Sequence, residues 1–437
     1  MNRLRIASQP KVWAVTPPLI ASNGRSSSWS RHRLVVAGSI CSLFTIAYNG
    51  PLIARSSLWI GIPFALLIVS SSRLGDLRIP SIVMALVAWL IISTLSNDIP
   101  SGSGYTLPLL TSSILSAIAL GSPEPESLRR LVVAALGAPL ILSSILLSLN
   151  VGREPLSRVE AVVGWRGLFD NKNSLGICAG VLLVVLILSS TKAGKRHRVL
   201  LILTLTLLLA SRSSTAIASL LFSVSTIVLG RRIISARVSN IRRLLLTLVV
   251  VALEVAVALF GSSLALEALG RDTTITGRTE IWHEVIPIAS SPSFVGYGPG
   301  AFWPSSDGQK SASTIESLTH FRPGQAHNGW LDAILDLGYF GAALLAVLLI
   351  SATFVALRSL QENPWQLGII LFFFAASLTE RGIYSSLGIF LAATILLSTK
   401  PHLSPKQGRT PRSQRPTNDQ WGAPQRNVVA RKIGLLP

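Results

Sequence analysis

The fold is decided by the stretch 261–330, which reads TGRTEIWHEV at 276–285, VGYGPGAFWP at 295–304, and AHNGW at its end. It is the one long polar interval between the apolar runs of this sequence. A connection of that length in a packed domain is usually functional or disordered. Because it combines helical patterning, aromatic side chains and clustered glycines, we expect an ordered loop with a function.

The rest of the sequence has the composition of a polytopic membrane protein. The chain has 437 residues, of which 49% are hydrophobic and only 13% are charged, whereas a soluble protein carries about 25% charged residues. Apolar runs of about 15–25 residues recur along it and predict membrane helices. The twelve predicted helices are 34–49, 58–72, 79–96, 106–120, 131–149, 174–190, 199–210, 215–229, 244–260, 331–357, 365–378 and 383–397. The fold class is therefore an all-α helical bundle with one long external loop that carries short helices.

The positive charges orient this bundle. With the N-terminus inside, most of the 39 Lys and Arg residues fall in the segments on the cytoplasmic side, as the positive-inside rule requires. We therefore predict a cytoplasmic lead (1–33), a transmembrane domain (34–400) with its long loop (261–330) outside, and a disordered basic cytoplasmic tail (401–437). Membrane topology explains the net charge of +20 without a nucleic-acid partner, since no zinc-finger spacing or groove-binding basic helix is present.

A histidine stands where the external loop meets the tenth predicted helix. His327 and Asn328 occupy this position, and an imidazole there can take or give a proton near neutral pH. The alternative is an interfacial histidine bonded to a loop carbonyl group. The sequence has no HExxH motif and no pair of histidines at i and i+4, so we expect no metal.

The loop also contains an arginine at the start of an amphipathic helix. From Arg278 the pattern places apolar side chains on one side of the helix and polar ones on the other. The apolar set is Ile281, Trp282, Val285 and Ile286, and the polar set is Glu280, His283 and Glu284. Arg278 is either a functional cation or the ion-pair partner of one of those glutamates. The glycine-rich stretch 296–300 predicts a turn that lets the backbone approach a neighbour closely.

Further cations fall on the same outer side. Arg212 ends the seventh predicted helix, where it either extends toward the membrane surface or presents a guanidinium group to a phosphate. Arg166 and Lys172 precede the sixth helix and can add to that positive field. Asn171 and Asn173 either bind hydroxyl groups or cap the helix. Glu380 and Arg381 lie in the last external connection.

Taken in order, these motifs resemble the O-antigen ligase and polymerase superfamily. The matching series is GLFDNKNSLG (167–176), ASRSS (210–214), GRTEIW (277–282), GYGPGAF (296–302) and HNGWLDAILDLGYFG (327–341). The resemblance implies an enzyme that transfers or polymerises a glycan from an undecaprenyl-diphosphate carrier on the outer face of the cytoplasmic (inner) membrane. It also implies inversion at the anomeric carbon, no metal or other cofactor, and a glycan, lipid or protein acceptor.

The same resemblance implies roles for individual residues. His327 would be the catalytic base that activates the acceptor hydroxyl group. Arg212 and Arg278 would bind the carrier diphosphate, and Lys172 and Asn173 would line the outer end of the site. The predicted substrate-binding set is Arg166, Lys172, Asn173, Arg212, Arg278 and Asn328.

Two other functions stay open at this point. Twelve helices also suit a transporter of a small solute or anion, in which the intramembrane carboxylate Glu254 would act as a relay. A transporter of this size often has internal repeats with interrupted helices, and the two halves show no convincing repeat. A non-catalytic assembly factor would tolerate loss of Arg212, Arg278 and His327 together.

Overall fold

The part of the chain described in a computed structural model is helical. It comprises residues 79–97, 106–120, 124–150, 164–189, 194–235, 278–291 and 294–398. Within these residues there are eleven α-helices, one 3₁₀ turn and no strand. The predicted helices at 34–49, 58–72 and 244–260, the lead, the tail and Glu254 lie outside the described residues.

The helices follow the apolar runs of the sequence closely. In chain order they are α1 (Ser81–Leu95), α2 (Thr106–Leu120), α3 (Pro125–Ser148), α4 (Lys172–Leu188), α5 (Lys195–Ser211), α6 (Ser214–Ser235), α7 (Arg278–Ser290), α8 (Ser306–Thr319), α9 (Gly329–Arg358), α10 (Pro364–Ala376) and α11 (Ser386–Leu397). A 3₁₀ turn, Gly382–Tyr384, precedes α11. The predicted run 131–149 begins earlier, at Pro125, because proline suits a first helical turn. The short run 199–210 is also longer than predicted, since α5 has 17 residues.

Three of the described helices have the length and apolar composition needed to cross a membrane. They are α3, α6 over Ser214–Ile233, and α9. Four others, α1, α4, α10 and α11, are apolar but shorter. This supports a helical membrane protein, while the total of twelve spans stays a prediction.

The bundle is organised around α4, which packs against α3, α5, α6 and α10. Nearly every residue of α4 from Leu175 to Leu188 is buried. Its backbone comes very close to α10, since a Cβ atom on Gly180 would lie 2.5 Å from the ring of Phe372. Helix α9 packs against α1, α10 and α11. Apolar side chains thus fill the interior of the bundle. The polar side chains of the candidate site lie at the starts and ends of these helices.

The long loop is ordered over its described residues and has a small core of its own. Helix α7 packs against α8 and against α9. Their shared core contains Ile281, Val285, Ala289, Phe302, Trp303, Ala312, Ile315, Ala326 and Leu335. The predicted apolar side of α7 is wrong at Ile286, which is 46% exposed. The buried stripe runs through 281, 285 and 289, and residue 286 lies about 100° beyond it on the helix.

Helix α9 is interrupted one third of the way along, and the loop closes the break. Gly338 has φ 68° and ψ −179° inside the helix. The carbonyl groups freed there accept hydrogen bonds from the glycine-rich turn: Tyr297 N–H donates to Leu335 O at 2.9 Å and Gly298 N–H donates to Asp336 O at 2.8 Å. Leu335 and Asp336 are buried, and a buried backbone group without a partner costs about 1–3 kcal/mol. The predicted close approach of this turn therefore stabilises the interrupted helix.

Candidate active site

Five segments of the chain meet at one end of the helical bundle. They are the residues before and at the start of α4, the turn between α5 and α6, the start of α7, the start of α9, and the connection from α10 to α11. The hydrogen bonds that join them include Trp165 N to Ala210 O (3.1 Å), Thr215 Oγ1 to Thr379 Oγ1 (2.9 Å) and Gly329 N to Ser377 O (2.8 Å). Residues far apart in sequence therefore become neighbours here.

The centre of this cluster is the carboxyl group of Glu380. Only 4% of this residue is exposed. Its Oε1 atom accepts hydrogen bonds from Arg278 Nη2 and Asn173 Nδ2, each at 2.8 Å. The His327 Nδ1 atom lies 3.4 Å from both carboxyl oxygens. A guanidinium group, an amide and an imidazole thus surround one buried acid.

The surroundings keep this acid ionised. Burial raises the pKa of the Glu380 carboxyl, but the charges and hydrogen bonds of His327 and Arg278 outweigh burial, and its pKa lies below the ordinary value. An ionised carboxylate only accepts hydrogen bonds, so Nδ1 of His327 carries a proton in this contact. The Gln325 Nε2 atom lies 3.4 Å from Oε2 and 3.3 Å from Nδ1. We assign its N–H to the carboxylate, since a protonated Nδ1 has no lone pair to accept it.

The backbone around His327 explains how the imidazole reaches the carboxylate. His327 has φ 49°, a left-handed conformation that is unusual for a residue other than glycine. Asn328 follows it as the N-cap of α9, and its side chain accepts hydrogen bonds from Trp330 N (3.0 Å) and Leu331 N (3.1 Å). The chain therefore turns sharply into α9, and the imidazole is held at the mouth of the helix with 18% of its side chain exposed.

Buried acids on α9 hold the loop and the last connection in place. Asp332 accepts a hydrogen bond from Ala326 N at 2.9 Å, and its other oxygen lies 3.6 Å from Arg381 Nε. One turn further, Asp336 accepts from the Tyr384 hydroxyl group at 2.9 Å. The residues that flank His327 and Glu380 are thus anchored to the same helix, which fixes the distance between the two side chains.

The other predicted cations lie beside α4 and α5. Lys172 is 8% exposed, and Arg166 donates to the backbone carbonyl group of Asp170 at 3.3 Å. Arg212 ends α5 in a left-handed conformation (φ 52°) with its side chain exposed. Within the described ranges, its guanidinium group has no ion-pair or hydrogen-bond partner. Burial raises the pKa of the Asp170 carboxyl to about 6.

The structure thus brings together three of the seven predicted site residues: Asn173, Arg278 and His327 all contact Glu380. Arg166, Lys172 and Arg212 are grouped on the adjoining side, around the start of α4 and the end of α5. The sequence offered Glu280 or Glu284 as the ion-pair partner of Arg278. That alternative is wrong, because Arg278 pairs with Glu380. Of the two asparagines at the start of α4, Asn171 caps the helix and Asn173 donates to Glu380. Asn328 also serves as a cap.

Sequence reasoning did not assign Glu380 to the site, although a signal was present. A carboxylate between two strongly apolar helices needs a partner near the membrane, and the predicted topology puts several cations and a histidine on the same side as Glu380. Among the described residues, no group of three His, Cys, Asp or Glu side chains could hold a metal ion. What the arrangement does offer is an imidazole for proton transfer and guanidinium groups for an anion.

Comparison with known proteins finds a matching family and a related protein. Residues 199–346 match the family described as O-antigen ligase. The chain is 27% identical over 358 residues to the exopolysaccharide production protein ExoQ of Rhizobium meliloti (strain 1021), and the alignment covers 78% of this chain and 80% of that protein. No solved structure matches the chain. These matches confirm the resemblance seen in the sequence motifs.

Proposed function

We propose that this chain, a relative of the O-antigen ligases, is a glycosyltransferase of the cytoplasmic membrane. It takes a glycan from an undecaprenyl-diphosphate carrier on the outer face and passes it to a glycan, lipid or protein acceptor. The observation that carries the proposal is the meeting of His327 and Arg278 on one buried carboxylate. A proton acceptor and an anion ligand thereby stand side by side, as transfer from a diphosphate requires.

In the proposed reaction His327 is the general base. Its Nε2 atom takes the proton of the acceptor hydroxyl group while that oxygen attacks the anomeric carbon of the donor sugar. The bond from the anomeric carbon to the phosphate oxygen breaks, and undecaprenyl diphosphate leaves with the bonding electrons. Attack from the side opposite the leaving group inverts the anomeric carbon.

The leaving diphosphate gains negative charge, and guanidinium groups stabilise it. Arg278 uses only Nη2 for Glu380, so its other N–H groups can face an oxyanion. Arg212 is exposed at the adjoining turn, and Arg166 and Lys172 extend the positive field. Fixed cations aimed at developing charge are among the strongest contributions to catalysis. Asn173 and Asn328 act through the groups that they hold, Glu380 and the start of α9.

Replacement of the base tests the chemistry. In cells that lack the chromosomal copy of this chain, His327→Ala should lower the rate of surface glycan synthesis by about 100-fold or more, the usual contribution of a general base. The matched control is His283→Ala, because the His283 side chain is 88% exposed on α7 and touches none of the site residues. Unchanged glycan on gels with normal amounts of His327→Ala protein would refute the proposal.

Replacement of the anion ligand tests the donor. Arg278→Ala should weaken binding of undecaprenyl diphosphate to the purified protein by about 10- to 100-fold, since a hydrogen bond to a charged group contributes about 1.5–3 kcal/mol. Arg358→Ala is the control, because Arg358 ends α9 at the opposite end of the bundle. Equal affinity of the Arg278→Ala and wild-type proteins would exclude this role.

One observation favours a transporter instead. Interrupted helices often carry ion sites in transporters, and α9 is interrupted at Gly338. The freed carbonyl groups of Leu335 and Asp336, however, are bonded to the loop backbone and are not presented to an ion. Saturable uptake of a solute by proteoliposomes that contain the purified chain would restore this alternative.

A further inference from the structure

The central acid contacts the proposed base at one ring nitrogen, Nδ1. Glu380 lies 3.4 Å from Nδ1 of His327, and the ring places its other nitrogen, Nε2, at the far edge. Because the carboxylate accepts only, the single proton of the neutral ring stays on Nδ1, and Nε2 then keeps its lone pair. That tautomer is the one a general base needs.

We propose that Glu380 is the positioning residue of the transfer reaction, since it fixes the tautomer of His327 and stabilises the imidazolium that forms when the acceptor loses its proton. This inference rests on the proposed function and adds a residue to it. Glu380 itself touches neither substrate. The proton that leaves the acceptor goes to Nε2, and the carboxylate stays ionised throughout.

Other charged groups near the imidazole do not replace this carboxylate. Arg278 lies at the start of α7 and binds the same carboxylate at 2.8 Å. Because its guanidinium group is a cation that only donates hydrogen bonds, it can neither hold the proton on Nδ1 nor stabilise the imidazolium. Lys172 lies beside Asn173 at the start of α4. Arg381 and Asp332 pair behind the loop at 3.6 Å. Among the described residues, Glu380 is therefore the anion that contacts the imidazole ring.

A glutamine in this position would reverse the hydrogen bond. In Glu380→Gln, the amide oxygen can still accept from Asn173 and Arg278, so the packing and these bonds are kept. The amide nitrogen takes the position of Oε2, 3.4 Å from Nδ1, and from there it can donate to Nδ1. When it does, the ring proton lies on Nε2, which can no longer take a proton from the acceptor. The loss of charge also removes the repulsion that a donor diphosphate meets beside Arg278.

The experiment compares Glu380→Gln, Glu380→Asp and His327→Ala with the control Glu362→Gln. Glu362 is exposed in the connection between α9 and α10, at the opposite end of the bundle. Each variant is measured for the rate of surface glycan synthesis in cells, for binding of undecaprenyl diphosphate to the purified protein, and for thermal unfolding. The proposal expects Glu380→Gln to lower the synthesis rate by about 100-fold, as for loss of a general base, while undecaprenyl diphosphate binds as tightly as before or more tightly.

The three measurements together distinguish the possible results. If His327→Ala stops synthesis and a folded Glu380→Gln variant keeps the wild-type rate, the positioning role is overturned and the proposed function stands. If His327→Ala also keeps the wild-type rate, the proposed function itself fails. Parallel loss of synthesis and binding in a folded Glu380→Gln variant would make Glu380 a structural residue and overturn the inference.

The aspartate variant keeps the test decisive when the glutamine variant does not fold. Asp retains the charge but is one methylene shorter, so it cannot contact Arg278 and His327 at the same distances. We expect Glu380→Asp to bind undecaprenyl diphosphate normally and to synthesise glycan at a rate between those of the wild type and His327→Ala. A wild-type rate in a folded Glu380→Asp variant would overturn the positioning role.

Discussion

A single methyl group at Gly329 should separate the two halves of the candidate site. Gly329 is the first residue of α9, and its N–H donates to Ser377 O at 2.8 Å. A Cβ atom added there would lie 2.3 Å from the Arg381 carbonyl oxygen and 3.3 Å from that of Glu380. The neighbour of this Cβ is backbone, which cannot rotate away as a flexible side chain could.

The size of the displacement follows from these distances. A carbon and a carbonyl oxygen come no closer than about 3.3 Å, so the connection that carries Glu380 must move by about 1 Å. Overpacking of this kind costs about 1–3 kcal/mol of stability, partly offset by the better helix propensity of alanine, about 1 kcal/mol. A shift of 1 Å at a catalytic arrangement can lower a rate by about 100-fold. We therefore expect a large loss of activity with a small loss of stability.

The assay is surface glycan synthesis in cells together with thermal unfolding of the purified protein. The matched control is Gly324→Ala in the same loop, where an added Cβ meets no atom within 4 Å. Gly324→Ala should behave as the wild type. Wild-type synthesis by Gly329→Ala would show that the distance between Glu380 and His327 does not matter, and a full loss of folded protein would show that the connection cannot shift.

Other substitutions test the surrounding structure. Gly338→Ala should lower the unfolding temperature, since its backbone conformation costs about 1–3 kcal/mol for other residues, whereas Gly230→Ala, whose added Cβ meets nothing within 4 Å, should not. Trp282→Phe should cost about 1 kcal/mol in thermal unfolding, because it removes the 2.9 Å hydrogen bond from Nε1 to Ala326 O; an unchanged midpoint would contradict that bond. The pKa of Asp170 is raised to about 6 in the folded chain, above the unfolded value of about 4, so wild-type stability should fall as pH rises through this interval. Asp170→Asn should remove that part of the pH dependence in unfolding midpoints measured at pH 4 to 7, and an identical profile for both proteins would refute it.

The sequence was informative about elements and less so about contacts. Each predicted helix within the described residues is a helix, because apolar runs of this length have few other solutions in a membrane. The cluster of Arg278, Asn173 and His327 was foreseeable in outline, since the predicted topology puts all three on one side of the membrane. Their common partner was not, because Glu380 lies 53 residues after His327 and pairing across that separation leaves no periodic pattern.

The exposed side of α7 was misjudged for a related reason. An amphipathic pattern gives the direction of the apolar side but not its width, and Ile286 lies just outside the stripe that α8 and α9 cover. The sequence pattern also did not predict the break in α9. Gly338 stands in an apolar run, and only the position of the glycine-rich turn shows why the helix is interrupted there.

The closure of that break determines how this protein can be recombined with its relatives. The turn around Tyr297 supplies hydrogen bonds to carbonyl groups inside α9, so this turn and the first part of the helix form one structural unit. A chimera with a junction between 300 and 338 would take these hydrogen-bond donors and acceptors from different parent proteins. Exchange of specificity between homologues should therefore transplant 278–341 as a single block.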